Sequence, residues 1–184
     1  LDVGGGSAQL VWGPDVGDSI SAPVGTFALE RAFQTDTSAA VGPGDVSWSA
    51  MEQAVETAFQ NAPSRASAQT LVVGSNIMAD FFSDVSVAAL GRSCASQKLS
   101  VEEAISIVAK MQGRPYSESY YMFERNRGFV HGADKLFAVA VTAARVVGAA
   151  SLLGTNASTS RGLCRLLLQD TARLDKLGIR TAAL

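Results

Sequence analysis

The sequence predicts an α/β domain, a mixed sheet of about five strands flanked by helices. Three observations carry that expectation. Residues 1–24 hold three short apolar or alternating runs separated by glycine-rich turns, and links this short favour antiparallel pairing. Downstream, apolar residues recur at helical spacing in segments that alternate with short strand-like runs. Ser100-Val101-Glu102-Glu103 has the form of a capping box, which marks a helix start. Hairpin-linked strands followed by alternating helix and strand is the order of a mixed sheet with helices packed on it.

Strands are expected at residues 1–3, 9–12 and 19–24, with Gly13-Pro14-Asp15 and Gly17-Asp18 making the second turn. A helix over 26–33 follows, then a loop of small residues over 37–45. Trp48, Met51, Val55, Ala58 and Phe59 line one face of the next helix, with Glu52 and Glu56 on the other. After a second loop, 61–68, Leu71-Val72-Val73 forms a short strand ending at Gly74-Ser75-Asn76, and a helix through Met78, Phe81 and Phe82 comes next. The capping box opens a helix with Val101, Ala104, Ile105, Val108 and Met111 inward. Residues 116–123 form a short helix whose aromatics are packing residues. Residues 133–153 form one long buried helix, 155–159 a final strand, and 161–175 an amphipathic helix bearing Leu163, Leu166, Leu167 and Leu174.

Bulk properties bound the function. The 184 residues suffice for one domain with a sizeable core. Fifteen basic and 17 acidic residues leave a formal charge of −2, which gives no electrostatic case for nucleic acid or an acidic membrane. A polyanionic ligand would be held by backbone N–H groups, a metal or a local basic site. Two distant cysteines, Cys94 and Cys164, and one histidine, His131, argue against a structural zinc site and fit a reducing cytoplasm. The apolar region 136–153 is interrupted by Arg145 and preceded by Asp134 and Lys135, so it reads as a core helix rather than a membrane span.

The chemistry sits at the start of the chain. Asp2-Val3-Gly4-Gly5-Gly6-Ser7-Ala8-Gln9-Leu10 carries an aspartate into three glycines and a serine. Consecutive glycines expose backbone N–H groups that can close on a phosphate. Asp2 offers one carboxylate where a hydrated Mg²⁺ takes an anchor. The plainer reading of Gly4 to Gly6 is a tight hairpin turn, with Asp2 solvating it. His131 reads as a satisfied loop histidine. Arg125, Arg127 and Arg161 read as solvated or paired with acids. Asn156-Ala157-Ser158 matches a glycosylation sequon.

Residues 2–10 resemble the second phosphate-binding hairpin of the actin-like ATPase superfamily. Ser21-Ala22-Pro23-Val24-Gly25-Thr26 with Glu30-Arg31-Ala32-Phe33 resembles the third strand and helix of the Ppx/GppA family of exopolyphosphatases and guanosine pentaphosphate phosphohydrolases. Leu71 to Asn76 resembles that family's second glycine-containing loop, Leu99 to Ala104 its helix opener, Glu124-Arg125 with His131-Gly132-Ala133 its Glu-Arg … Gly-Ala pattern, and Ser160-Arg161-Gly162-Leu163 the start of its last segment. The resemblance runs through nearly the whole chain in order.

It implies a ribonuclease-H-like (actin-like ATPase) domain, residues 1–184 being the second of two actin-like domains, with the first preceding Leu1. It also implies water attack on a terminal phosphoanhydride of inorganic polyphosphate or guanosine pentaphosphate, with Mg²⁺, at a cleft between the domains. Asp2 would serve metal or catalytic water, Gln9 would orient water, and Gly4, Gly5, Gly6, Ser7, Gly74 and Ser75 would bind phosphate. Two departures stand out. The family's glutamate two residues after the serine is Gln9 here, and glutamine is no general base. The family's Gly-Thr-Ala-Gly loop is Gly74-Ser75-Asn76. These departures motivate an alternative, a non-catalytic nucleotide or polyphosphate sensor or scaffold. The chain by itself is expected to be inactive, and its exposed cleft face to be a possible homodimer contact.

Overall fold

The computed structural model describes residues 1–12, 18–33, 38–63, 70–75 and 77–157. Six strands are present among them: β1 (Asp2–Val3), β2 (Ala8–Val11), β3 (Ser19–Ala22), β4 (Thr70–Gly74), β5 (Lys98–Ser100) and β6 (Ser151–Thr155). They form one sheet in the order β3-β2-β1-β4-β6-β5. The first three are antiparallel neighbours, β4 joins β1 in parallel, β6 joins β4 in parallel, and β5 closes the edge antiparallel to β6. Thus β1, β3, β4 and β6 share one direction. Gly74 N donates to Leu1 O at 2.7 Å and Leu1 N to Val72 O at 2.7 Å, which locks the parallel β1–β4 joint at the sheet's centre.

Five helices accompany the sheet: α1 (Thr26–Phe33), α2 (Val46–Phe59), α3 (Met78–Ala88), α4 (Val101–Met111) and α5 (Val130–Val147). Short 3₁₀ segments at Tyr116–Phe123 and Arg127–Phe129 lead into α5. Strand alternation assigns the faces. Val3, Ala8, Leu10 and Ala22 are buried in the core, while Asp2, Gln9 and Ser21 point to the other side. α5 is the centre of the helical layer. It packs on α2, α4 and α1, and Phe137 meets Phe81 and Phe82 of α3 with ring centroids 5.6 and 6.0 Å apart. Phe123 stacks on Phe81 at 4.8 Å. Each such ring, fully buried, stabilises the fold by about 1.5–3 kcal/mol. The alanines of α5 follow from this position, since a helix covered on nearly all sides needs small residues where neighbours come close.

The structure corrects four boundaries. The long helix covers residues 130–147 rather than 133–153, because Gly148 adopts φ 76° and ends it in a left-handed cap. The final strand among the described residues is Ser151–Thr155, earlier than 155–159: Ser151 to Leu153 read as helix continue the apolar run but pair with β4 and β5. The sheet gains a sixth strand, Lys98–Ser100, three residues long and held by β6 alone. The third strand stops at Ala22, before Pro23 and Val24. The Gly13-Pro14-Asp15 turn, Asn76, Arg161, Cys164 and the 161–175 helix lie outside the described residues.

The capping box forms in full: Glu103 N donates to Ser100 Oγ at 3.1 Å and Ser100 N to Glu103 Oε2 at 2.8 Å. α3 lacks a cap from its own preceding residue. Asn156 supplies it from beyond β6, accepting from Ala79 N at 2.8 Å through Oδ1 and donating to Asp80 Oδ2 at 3.0 Å.

One pair of charges is sealed inside. Asp134 and Lys135 are 0% and 1% exposed, with Nζ 3.1 Å from the carboxylate. Tyr116 Oη donates to Asp134 Oδ2 at 3.1 Å, Val41 N does so at 2.9 Å, and Lys135 Nζ also bonds Tyr116 Oη. The cluster therefore ties α5 to the 116–123 segment and to the loop before α2. Burial holds the Asp134 carboxyl above its usual range, against the opposing pull of Lys135 and its hydrogen-bond donors. Replacing Lys135 by Met strands that carboxylate, and urea unfolding at pH 7 is expected to show a loss of about 3–5 kcal/mol. The raised folded-state pKa fixes the sign of the pH effect. The deficit is smallest below the ordinary carboxylate range of about 4, where Asp134 is protonated folded and unfolded, and it grows only above that range, as pH rises through the raised folded-state pKa and the carboxylate ionises beside Lys135 in the wild type. A pH-independent deficit would contradict the assignment.

Candidate functional site

Gly4 to Ser7 form the turn between β1 and β2, closed by Gly4 N donating to Ser7 O at 2.9 Å. Its carbonyls are spent on α1. Thr26 N donates to Gly4 O at 3.0 Å, and Phe27 N and Ala28 N donate to Gly5 O at 2.8 and 3.1 Å. These are the unpaired N–H groups of the helix start, so the turn caps α1 with backbone. In a planar trans peptide the N–H points opposite to the carbonyl. The Gly5 and Gly6 N–H groups therefore point away from α1, side by side. Among the described residues, the N–H groups of Gly5, Gly6 and Ser7 have no backbone acceptor. Adjacent outward amides of this kind form an anion-binding concavity.

The glycines are not equivalent. A Cβ on Gly25 would lie 2.4 Å from Ser7 N, 2.5 Å from Gly4 O and 2.6 Å from Gly5 O, all backbone. A Cβ on Gly5 would meet the Phe27 ring at 2.6 Å, and one on Gly6 would meet nothing within 4 Å. The turn and the start of α1 thus touch main chain to main chain, and Gly25 permits it.

A row of side chains lies beside the turn. Ser21 pairs with Gln9, Gln9 with Asp2, Asp2 with Gly74 and Gly74 with Thr155. Paired positions share a face, so the row crosses five strands on the side away from the core. It lies at the carboxyl ends of β4 and β6, where open α/β sheets bind ligands. Gln9 Nε2 donates to Ser7 Oγ at 2.7 Å and to Ser21 Oγ at 3.3 Å. Its amide nitrogen therefore braces the turn and leaves Oε1 as the remaining acceptor. A Cβ on Gly74 would lie 2.8 Å from Ala157 O, because the chain after β6 runs over this position.

On the helical side of the turn lies a pocket of about 300 Å³. Gly4 and Gly5 of the turn, Ser75 after β4, Thr26 and Phe27 of α1, and Phe129, His131, Gly132 and Leu136 around the start of α5 contribute to its wall. Ser75 N is held by Thr155 O at 3.3 Å. The six expected phosphate positions thus divide. Gly4 to Ser7 form the turn, Gly74 joins the Asp2–Gln9 row, and Ser75 faces the pocket with Gly4 and Gly5. His131 sits on the same wall, its Nε2 3.3 Å from Tyr120 Oη and its ring 4.9 Å from that of Tyr116. Phe27 and Phe129 carried no functional signal in the sequence, because neither belongs to a glycine motif. Arg125 is paired with Asp84 at 2.5 Å and Asp80 at 3.3 Å, away from the turn.

Among the described residues, no cluster of three or more His, Cys, Asp or Glu side chains is placed to hold a metal. Mg²⁺ commonly binds through one or two carboxylates plus substrate phosphates and water, and the Asp2 carboxylate, paired in register with Gln9 beside the glycine turn, fits that mode. No described helix is long and apolar enough to cross a membrane.

No protein-family model and no curated protein sequence matches the chain. Solved structures do match its fold. The Aquifex aeolicus member of the Ppx/GppA protein family superposes with a TM-score of 0.68 at 14% identity, over 92% of this chain and 56% of that one. The type II variant of the Aquifex aeolicus Ppx/GppA phosphatase gives 0.66 at 14% identity, over 89% and 54%. An exopolyphosphatase-like protein gives 0.60 at 20% identity, over 90% and 58%. The chain spans a little over half the length of these structures and shares their actin-like fold.

The contact geometry yields a stability prediction. Gly25→Ala is expected to cost about 1–3 kcal/mol in urea unfolding, because backbone has to move. Gly6→Ala is expected to stay within about 0.5 kcal/mol of wild type. Equal costs at the two positions would contradict the clamped turn.

Proposed function

We propose that this fold forms one wall of a phosphoanhydride hydrolase site of the Ppx/GppA kind, acting on the terminal phosphate of inorganic polyphosphate or guanosine pentaphosphate in the cytoplasm. The observation that supports it best is the pair of outward amides at Gly5 and Gly6 beside the Asp2–Gln9 row. Backbone amides fix phosphate oxygens without reading what the phosphate is attached to, and the Ser7 hydroxyl adds a donor beside them. Asp2 would hold Mg²⁺, which when bound offsets the charge of the phosphate oxygens. Asp2 and Gln9 Oε1 orient the attacking water, and the amides stabilise charge on the transferred phosphoryl oxygens. The proton acceptor and the facing wall would come from a preceding actin-like domain.

The hydrogen bonds of Gln9 favour a second reading. Its amide nitrogen is committed to Ser7 and Ser21, a bracing role that needs no turnover, so a binding domain without catalysis uses the same turn. Phosphate release separates the two. For the hydrolase reading, the chain by itself binds inorganic tripolyphosphate with Mg²⁺ but releases little phosphate. Joined to the preceding domain it turns over, and Asp2→Asn lowers that turnover by about 100-fold or more, the scale of losing a transition-state contact. Binding without turnover in the joined protein would favour the sensor. Turnover untouched by Asp2→Asn would refute the assigned site.

A further inference from the structure

A pocket of about 200 Å³ lies between α2 and α5 and shares no residue with the one beside the glycine turn. Glu52 and Glu56, one helical turn apart on α2, meet Thr142, Arg145 and Val146 of α5 there. Arg145 Nη1 donates to Glu52 Oε1 at 2.7 Å. Among the described residues no basic group pairs with Glu56. Two carboxylates therefore face one guanidinium, and the pocket carries an excess of negative charge. Thr142 is 5% exposed, and its hydroxyl has no hydrogen-bond partner among the described residues. The buried hydroxyls of α3 behave differently: Ser83 Oγ donates to Ala79 O and Ser86 Oγ to Ser83 O, both at 2.8 Å. A helical threonine ordinarily bonds a carbonyl one turn back in the same way. Left unpaired, a buried hydroxyl destabilises the fold. Packing alone accounts for a valine at position 142, not for a hydroxyl.

We propose that the α2–α5 pocket binds a primary alkylammonium ion, its charged head between Glu56 and Thr142 Oγ1 and its alkyl chain along Val146. An ammonium carries three donors and no acceptor. That set matches the Glu56 carboxylate, the unpaired Thr142 hydroxyl oxygen and the Glu52 oxygen that Arg145 leaves over. An anion meets the excess negative charge, and among the described residues no three acidic, His or Cys side chains converge to hold a metal. The volume is below the usual range for small-molecule pockets, so the ligand is small. Such a group comes from a free diamine or from the lysine side chain of a partner protein. The inference does not depend on what the glycine turn binds.

Amide-resolved NMR titration of the 184-residue chain with putrescine tests this, with Nα-acetyl-lysine amide and tetramethylammonium as further probes. Saturable shifts are expected at Glu56, Thr142, Arg145 and Val146. Glu56→Gln is expected to weaken putrescine binding about tenfold, the scale of one charge-assisted hydrogen bond. Thr142→Val is expected to weaken it about fivefold and also to raise the melting temperature of the ligand-free chain, because it removes an unpaired buried hydroxyl. Tetramethylammonium has the same charge and no N–H donor, so it is expected to leave the pocket unshifted. Acetyl-lysine amide binding as tightly as putrescine supports the pocket with a protein side chain as its source, and weaker binding supports it with a free diamine. Equal shifts with tetramethylammonium and putrescine overturn the proposal, as does the absence of saturable shifts. Putrescine affinity unchanged in Thr142→Val, or a lower melting temperature for that variant, overturns the role of the hydroxyl and the proposal with it.

Discussion

The structure depends on a clamp of main chain against main chain. The Gly4 and Gly5 carbonyls accept from the first amides of α1, and Gly25 lets the two segments touch. The clamp does two jobs. It satisfies donors that a helix start leaves unpaired, and, by fixing which way the carbonyls face, it fixes which way the next amides face. The orientation of the candidate phosphate site thus follows from helix capping. Unfastening the clamp would free the amides to turn, and the cradle would lose its direction.

The clamp also divides the ligand-facing surface in two. On the sheet side, strand register assembles Ser21, Gln9, Asp2, Gly74 and Thr155 into one row. On the helix side, Phe27, Phe129 and His131 line a pocket to which no described Lys or Arg contributes. The polar row and the pocket meet at a four-residue turn. Behind it, the sealed Asp134–Lys135–Tyr116 cluster ties α5 to the 116–123 segment and the loop before α2. It thereby steadies the start of α5, which carries His131.

Local signals in the sequence were sufficient for much of this. The glycine turn, the three opening strands, the Ser100–Glu103 cap and the 3.6-residue spacing of α2 and α4 are decided by residues near one another in the chain. What escaped is decided by distant partners. Lys98–Ser100 is a strand because β6 offers an edge. Asn156 looked like a sequon and is a cap for α3. Asp134 and Lys135 looked like the charged border of an apolar run. They are buried because Tyr116 and Val41 bring donors to them. Gly148 was a visible stop signal, overridden in the reading by the apolar residues that continue past it into β6. At the site, Asp2, Gln9 and the turn were legible as a motif. The direction of the amides and the phenylalanine-lined pocket depend on how α1 and α5 dock.

The phosphate cradle depends on the Gly5 and Gly6 amides facing outward from the turn. Amide-resolved NMR titration of the chain with inorganic tripolyphosphate measures this most directly. Saturable shifts are expected to concentrate on those two amides, with the Thr26, Phe27 and Ala28 amides, already bonded to the turn, moving little. Shifts centred on α1 or spread over surface arginines, with Gly5 and Gly6 unmoved, would contradict it.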